Sequence, residues 1–378
     1  MSYWGYAGSI VTILVAILGP ICGALADRNL KKQFFIAAML VGTVGCTVLG
    51  HTPDWLSFLC LFILARVGYS SSIIFYDSML PEVTTEERMD KVSSMGFAFG
   101  YIGSVIPFIA CLILVLIPDT FGLTTGSAMV IAFRITALWW IVCTIPLLRR
   151  YRQTAFVTAG ESPVLDSFRQ LGRTIRDAKK EKHIFLYLLA FFFFIDGVYT
   201  IIDMATAYGT ALGLDTTGLL LALLVTQIVA FPFSILFGRL SARYDTGRLI
   251  KICICAYTFV VLFSVFMVSQ WQFWLMAVMV GMFQGGIQAL SRSYLGKIIP
   301  PERSGEFYGL MDIFGKGASF VGMTLVSVVS QLTAGIHLNI FGVTLQNENI
   351  AVSSLIVLFA IGYILFCKAD KLNKQRNQ

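Results

Sequence analysis

Along this chain apolar residues gather into long runs broken only by short polar clusters, and the alternation repeats eleven times. The runs lie near 4–26, 33–51, 54–80, 93–117, 127–148, 184–208, 217–238, 247–269, 271–295, 306–330 and 348–367. A helix of about 20 predominantly apolar residues crosses the hydrocarbon of a bilayer, and a backbone out of reach of water must bond to itself. The pattern therefore predicts an all-α membrane protein with eleven visible spans. Composition agrees: 57% of the 378 residues are hydrophobic and 13% charged, with a mean hydropathy of +0.79, far from a soluble domain. The first run has no basic leader and ends in charged rather than small residues, so it reads as a span and not as a cleaved signal.

The net charge of +7 changes the picture only through its placement. Of the 28 Lys and Arg, 25 fall on alternate connections: after the first span, near 88–91, in 149–182, in 239–251, in 292–303 and in the tail from Lys368. The intervening connections, near 51–54, 118–126, 209–216, 270 and 331–347, carry none. Short basic loops stay in the cytoplasm, so the basic face and the C-terminus are expected inside. This distribution fits a membrane surface and excludes nucleic acid as the partner. Eight Cys sit in or beside apolar runs without metal-ligand spacing, and His51, His183 and His337 are isolated, which removes a zinc site from consideration.

An internal repeat organises the spans. The hairpin GPICGALADRNLKK at 19–32 is echoed by FGRLSARYDTGR at 237–248: Gly23 recurs as Gly238, an offset of 215 (238 − 23), and the same offset pairs Leu25 with Leu240 and Arg28 with Arg243. Glu87 and Arg88 likewise match Glu302 and Arg303, and Gly100 matches Gly315. Two parallel repeats are expected. The span at 184–208 has no counterpart after the first residue, which predicts a parent of two six-helix repeats with the first helix missing and this chain covering spans two to twelve. The expected divisions are 1–148 and 184–367 for the two helical halves, 149–183 for a linker and 368–378 for a tail. Within the linker Val164, Leu165, Phe168, Leu171 and Ile175 recur at helical spacing opposite Arg169, Arg173 and Arg176; an amphipathic helix on the inner leaflet and a solvated linker are the two readings.

Six charges qualify as lying near the bilayer centre: Arg66, Arg134 and Lys316 against Asp196, Asp203 and Asp312. Each costs roughly 2.5–3.5 kcal/mol on insertion scales, so they are expected to pair or to function. Helical spacing puts Asp196, Tyr199, Thr200 and Asp203 on one face, Arg66, Ser70 and Asp77 on another, and Gln284, Gln288 and Arg292 on a third. GLMDIFGKG is not a phosphate loop, because the glycine spacing is wrong and no strand precedes it; HExxH and GxSxG are absent, so no enzyme is indicated and no cofactor expected.

Two parallel halves, a basic central loop and the hairpin GPICGALADR resemble the major facilitator superfamily. Gly23, Leu25, Asp27, Arg28, Lys31 and Lys32 meet its loop pattern, and Leu30 stands where a second Gly is usual. FFFFIDGVYTIIDMATAYG at 191–209, QGGIQALSRSYLGKIIPPERSGEFYGL at 284–310 and FGKGASFVG at 314–322 are similar to the branch that includes the fungal vacuolar amino-acid effluxers of autophagy and bacterial permeases. The resemblance implies a major-facilitator-like bundle and a secondary transporter of small polar solutes, amino acids by expectation, with protons as a coupling partner and membrane lipids around a monomer. It places the chain in a bacterial cell membrane, or a vacuolar membrane if fungal. An antiporter-type Gly-Pro pair is absent, since Gly103 and Pro107 stand apart. A receptor or scaffold descended from a transporter is the alternative function.

In the superfamily the three polar faces line the central cavity. Asp196 is then the leading ion-coupling residue, with Lys316 or Arg66 as partner, and a static buried pair is the competing reading. Asp203, Tyr199, Gln284 and Gln288 join it as substrate or coupling candidates; Asp77, Arg292, Asp27, Arg28 and Asp312 are gating candidates, Asp312 being also four residues from Lys316. For Lys31 and Lys32 a topogenic role competes with a gating one. Asp77 and Arg292 are again 215 apart and are expected to form a gate salt bridge; the alternative is two independent snorkelling groups. Exchanging their charges is expected to restore most of the uptake lost in either single reversal, and failure of rescue counts against a direct pair.

Overall fold

The computed structural model describes residues 2–157, 181–333, 338–340, 343–345 and 347–376. The apolar runs become α1 (Ser2–Ala26), α2 (Lys31–Val48), α3 (Trp55–Ser78), the single turn α4 (Leu80–Val83), α5 (Met89–Leu116), α6 (Thr125–Arg150), α7 (Lys182–Ala211), α8 (Thr216–Leu240), α9 (Thr246–Val265), α10 (Gln270–Ile298) and α11 (Ser304–Leu332). They end with α12 (Asn347–Ser353) and α13 (Leu355–Arg376). Among the described residues nine helices are long and apolar enough to cross a membrane, and α1 and α11 contribute the shorter apolar stretches Ile13–Ala26 and Val321–Leu332. The amphipathic helix expected between 162 and 176 lies outside the described residues.

Polar residues at the run ends set where the helices start. Asp54 accepts from the backbone N–H of Leu56 and Ser57 ahead of α3, both at 2.9 Å. Thr124 and Ser127 form a reciprocal capping box on α6, and Asp215 and Asp245 cap α8 and α9. Such caps satisfy the orphan donors of a first turn. In the first hairpin Asn29 takes the left-handed backbone conformation (φ 68°), which Asn tolerates better than most residues. One feature departs from an all-helical chain: β1 (Leu338–Ile340) and β2 (Val343–Leu345) pair antiparallel with Leu338 opposite Leu345. Their alternation is only three residues long, too short to stand out against the surrounding apolar sequence.

The chain divides into two compact units that cut across the sequence halves. One comprises Met1–Glu86, Gly103–Arg176 and Ile299–Ile313; the other comprises Glu87–Ile102, Asp177–Ile298 and Phe314–Gln378. In the first unit α3 packs on α1 and α2, and α2 on α6. Val11 and Val15 meet Ile74 there, and Phe35, Phe75, Met79 and Tyr151 form a second buried cluster. In the second unit α7 packs on α13, α8 on α10, and α9 on both α10 and α13. A buried aromatic group of Tyr187, Phe194, Tyr294 and Phe366 ties α7, α10 and α13 together.

Glycines decide the closest approach in the first unit. A Cβ on Gly309 would come within 2.8 Å of Pro20 Cα, and one on Gly305 within 2.8 Å of Asp27 Oδ1 and against the Gly23 carbonyl. Gly19 and Gly23 on α1 thus face Gly305 and Gly309 on α11, four residues apart on each helix, and the two backbones touch as in small-residue membrane contacts.

Candidate functional site

The charged hairpin of the first unit is a closed network. Lys31 is fully buried and lies between two carboxylates, 3.2 Å from Asp27 and in direct contact with Glu82, whose side chain is also buried. Its Nζ also donates to Ser304 Oγ at 2.8 Å, and Ser304 donates to the Ser78 carbonyl. Asp27, fully buried, accepts from the backbone N–H of Gly305 and Glu306 at 2.8 and 3.0 Å. It therefore caps α11 from the turn that follows α1, where the positive helix end favours an anion. Glu82 Oε2 further accepts from the N–H of Thr154 at 2.8 Å, stitching the chain after α6 to the same point. Arg28 Nε and Nη1 are buried with no hydrogen-bond partner among the described residues.

Burial pushes the Asp27 carboxyl up to about 7, against the downward pull of Lys31 and of the Gly305 and Glu306 N–H groups. Because the folded pKa lies above the unfolded value, native protein holds the proton more tightly. The stability this confers is complete below about pH 4 and lost as pH rises through about 7. Asp27→Asn is expected to flatten that part of the profile of melting temperature against pH, measured in lipid nanodiscs; an unchanged slope would place the titration elsewhere.

The second unit carries a related network at the repeat-equivalent positions, with its charges permuted. Lys31, Ser78, Glu82 and Gly305 correspond under the 215-residue offset to Thr246, Ser293, Lys297 and Asp90. Asp90, nearly fully buried, accepts from Lys297 Nζ at 2.7 Å, Thr246 Oγ1 at 2.6 Å and Ser293 Oγ at 2.5 Å. The cation sits on the hairpin in one network and at the end of a later span, α10, in the other. Asp245 beside it is held below the usual carboxylate range: burial raises it, but Lys374 at 2.8 Å and the Arg248 N–H prevail.

Above this network the third polar face meets α5. Arg292 is buried, donates from Nε to Ser93 Oγ at 3.0 Å and from Nη2 to the Ser93 carbonyl at 3.1 Å, and lies 4.8 Å from the centre of the Phe97 ring. Tyr101 donates to Gln288 Oε1 at 3.2 Å. Ser93, Phe97 and Tyr101 recur every four residues, matching Arg292, Gln288 and Gln284 in antiparallel register. Gln284 Oε1 is buried without a hydrogen-bond partner among the described residues, and Gln284 also borders a small cavity of about 50 Å³ with Thr226 and Gln227.

Asp196 sits in mid-helix on α7 and is fully buried. Its Oδ1 accepts from the Gly322 N–H at 3.0 Å and from Thr200 Oγ1 at 3.3 Å, while Oδ2 is buried with no hydrogen-bond partner among the described residues. A Cβ on Gly322 would come within 2.5 Å of Oδ1 and against Thr200 Oγ1, so α11 must present glycine here for its backbone to reach the carboxylate. Gly322→Ala is expected to destabilise by about 1–3 kcal/mol through overpacking and to impair transport, checked by melting and uptake in parallel. A buried carboxylate with one free oxygen can take a proton or meet a cation with little rearrangement.

The remaining candidates are distributed over both units. Arg66 is exposed and stands over the Tyr69 ring at 5.3 Å; it lies in the first unit with the partly buried Asp77 and Asp312. Tyr199, partly buried, and Asp203, exposed, share α7 with Asp196. The backbone of Lys316 lies within α11, but its side chain is outside the described residues. Arg134 bonds His51 Nε2 at 2.9 Å, so two residues that look isolated in sequence meet. Glu82, Asp90, Lys297, Ser93, Tyr101 and Gly322 were not singled out by sequence reasoning. For Glu82, Asp90 and Lys297 the repeat offset gives no clue, because the residue types differ at the matched positions.

Two solved structures illustrate the architecture. That of FucP, a major facilitator superfamily transporter in the outward conformation, superposes with a TM-score of 0.70 over 97% of this chain and 89% of that one at 14% identity. A bacterial homologue of the iron transporter ferroportin, outward-facing, gives 0.67 over 98% and 91% at 13% identity. These likenesses define the fold as that of the major facilitator superfamily, in an integral multi-pass membrane protein. The sequence narrows the class: the family described as vacuole effluxer Atg22 like matches residues 1–378. The chain belongs to that family, one of transporters and not of enzymes. It is 40% identical to the MFS-type transporter YxiO of Bacillus subtilis (strain 168), over 96% of this chain and 83% of the relative. It is 26% identical to autophagy-related protein 22 of Coccidioides immitis (strain RS), over 87% and 68%.

Proposed function

We propose that this transporter moves small polar solutes, amino acids among them, by alternating access, with protons as the coupling ion and Asp196 as the carboxylate that carries them. The observation that supports the reading is the state of Asp196: fully buried, held through one oxygen by Gly322 and Thr200, with the other oxygen unpartnered among the described residues. Such a group costs free energy in a static structure and gains a use in a cycle that alternately hydrates and buries it. Gln284, Gln288, Tyr199, Asp203, Arg66 and Lys316 are its proposed companions in solute or ion handling. The Lys31 and Asp90 networks act as gates that break in turn, with Arg28, Asp77, Arg292 and Asp312 contributing.

In this reading the basic loops and the C-terminus are cytoplasmic, the protein is a monomer, and a bacterial cell membrane is its place, as the likeness to YxiO supports. The test is reconstitution into liposomes with a screen of labelled amino acids under an imposed proton gradient. Uptake of at least one that collapses with a protonophore supports the proposal. Uptake indifferent to the gradient removes the proton, and no uptake of any amino acid removes the solute class.

A further inference from the structure

The second unit contains a cavity of about 320 Å³ between the ends of α7, α9 and α11 and the α12–α13 segment, of a size that accepts a small organic ligand. Its body is apolar: Ile201, Met204, Val260, Val326, Val352 and Leu355 line it. Its polar fringe has a consistent chemistry. Ser264 commits its proton to the Val261 carbonyl at 2.8 Å, Ser327 to the Met323 carbonyl at 2.8 Å, Tyr208 to the Ser264 carbonyl at 2.8 Å and Thr200 to Asp196 at 3.3 Å. With the hydroxyl protons turned away, those oxygens offer only lone pairs to a guest, one of the Tyr208 pairs being taken already by Asn349 Nδ2 at 2.8 Å.

Two further features carry the same sign. The last turns of three helices reach the cavity, through Tyr208 and Ala211 of α7, Ser264 of α9, and Ser330 and Gln331 of α11, and helix C-termini carry partial negative charge. Glu348 also lines the cavity, and among the described residues no Lys, Arg or His pairs with it. Among the described residues Gln331 is the one lining side chain with N–H donors. A water-filled passage would need polar walls, and an anion would meet the lone pairs of Thr200, Tyr208, Ser264 and Ser327 and the Glu348 carboxylate.

We propose that this cavity is a binding site for a monovalent organic cation with a compact apolar body, its ammonium beside Glu348 and its hydrocarbon against Met204, Val326 and Leu355. Asp196 does not line the cavity and touches its wall only through Thr200. The site stands whether or not protons drive transport.

The experiment uses the full chain in lipid nanodiscs and measures equilibrium binding of tritiated 1-adamantylammonium, with empty nanodiscs as background. Saturable binding is expected, with uncharged 1-adamantanol competing at least about tenfold more weakly, the loss that accompanies a charged hydrogen bond. Glu348→Gln is expected to weaken the amine by about the same factor while leaving the alcohol's competition unchanged. Ser327→Trp, at an exposed lining position, is expected to remove both; Val352→Trp replaces it if that variant does not fold. Absence of saturable binding, equal affinity of amine and alcohol, indifference to Glu348→Gln, or retention by a folded filling variant each overturns the proposal.

Discussion

Lys31→Met is expected to destabilise the protein by about 3–5 kcal/mol, the usual result when one member of a buried charge network is removed and an uncompensated charge is left behind. The methionine has nearly the length of the lysine stem, so packing is conserved and the loss reports electrostatics. Asp27 and Glu82 would remain buried side by side without their shared cation, and Ser304 would lose the ammonium that donates to it. Unfolding in nanodiscs measures the effect. The triple change Lys31→Met, Asp27→Asn, Glu82→Gln should recover much of the stability, because uncharged replacements no longer oppose one another. A loss below about 1 kcal/mol for the single variant would mean the pair is solvated enough to behave as a surface bridge.

Asp196→Asn is the second large effect. The amide keeps an acceptor oxygen for the Gly322 N–H and Thr200, so the local structure should survive, but the side chain no longer exchanges a proton. Gradient-driven uptake is expected to disappear while counterflow of the same solute across equilibrated membranes continues. Loss of both processes would argue that Asp196 serves the solute or the packing rather than coupling alone. A matched melting temperature is the control, and Asp196→Glu, which restores the charge on a longer stem, should recover part of the driven uptake.

The spans were legible because each is a long apolar run, and the first hairpin because Asp27, Arg28, Lys31 and Lys32 interrupt one abruptly. The glycine contact was partly legible: Gly19 and Gly23 stand out on α1, while their partners Gly305 and Gly309 lie nearly three hundred residues away and have no local mark. The partner of Lys31 was hidden in a Pro-Glu turn, where Glu82 looks like an ordinary surface residue. The second network escaped for a subtler reason. Lys31 corresponds to Thr246 and Glu82 to Lys297, so comparing identities across the repeat finds nothing even though the geometry recurs. Asp196 was found by its cost in the membrane, but its contact with Gly322 uses a backbone N–H, which no side-chain pattern records.

Where Gly23 and Gly305 meet, main chain rests on main chain, with only the Asp27 carboxylate, itself bound to the Gly305 N–H, beside them. A long flexible side chain lets neighbouring helices slide by degrees, since it can change rotamer as they part. Bare peptide groups have no such adjustment, so this junction behaves as a hard stop that is either seated or fully released. Motion at this end of the protein should accordingly proceed in discrete jumps with a steep temperature dependence, and adding even one methyl there should shift the resting position rather than merely soften it.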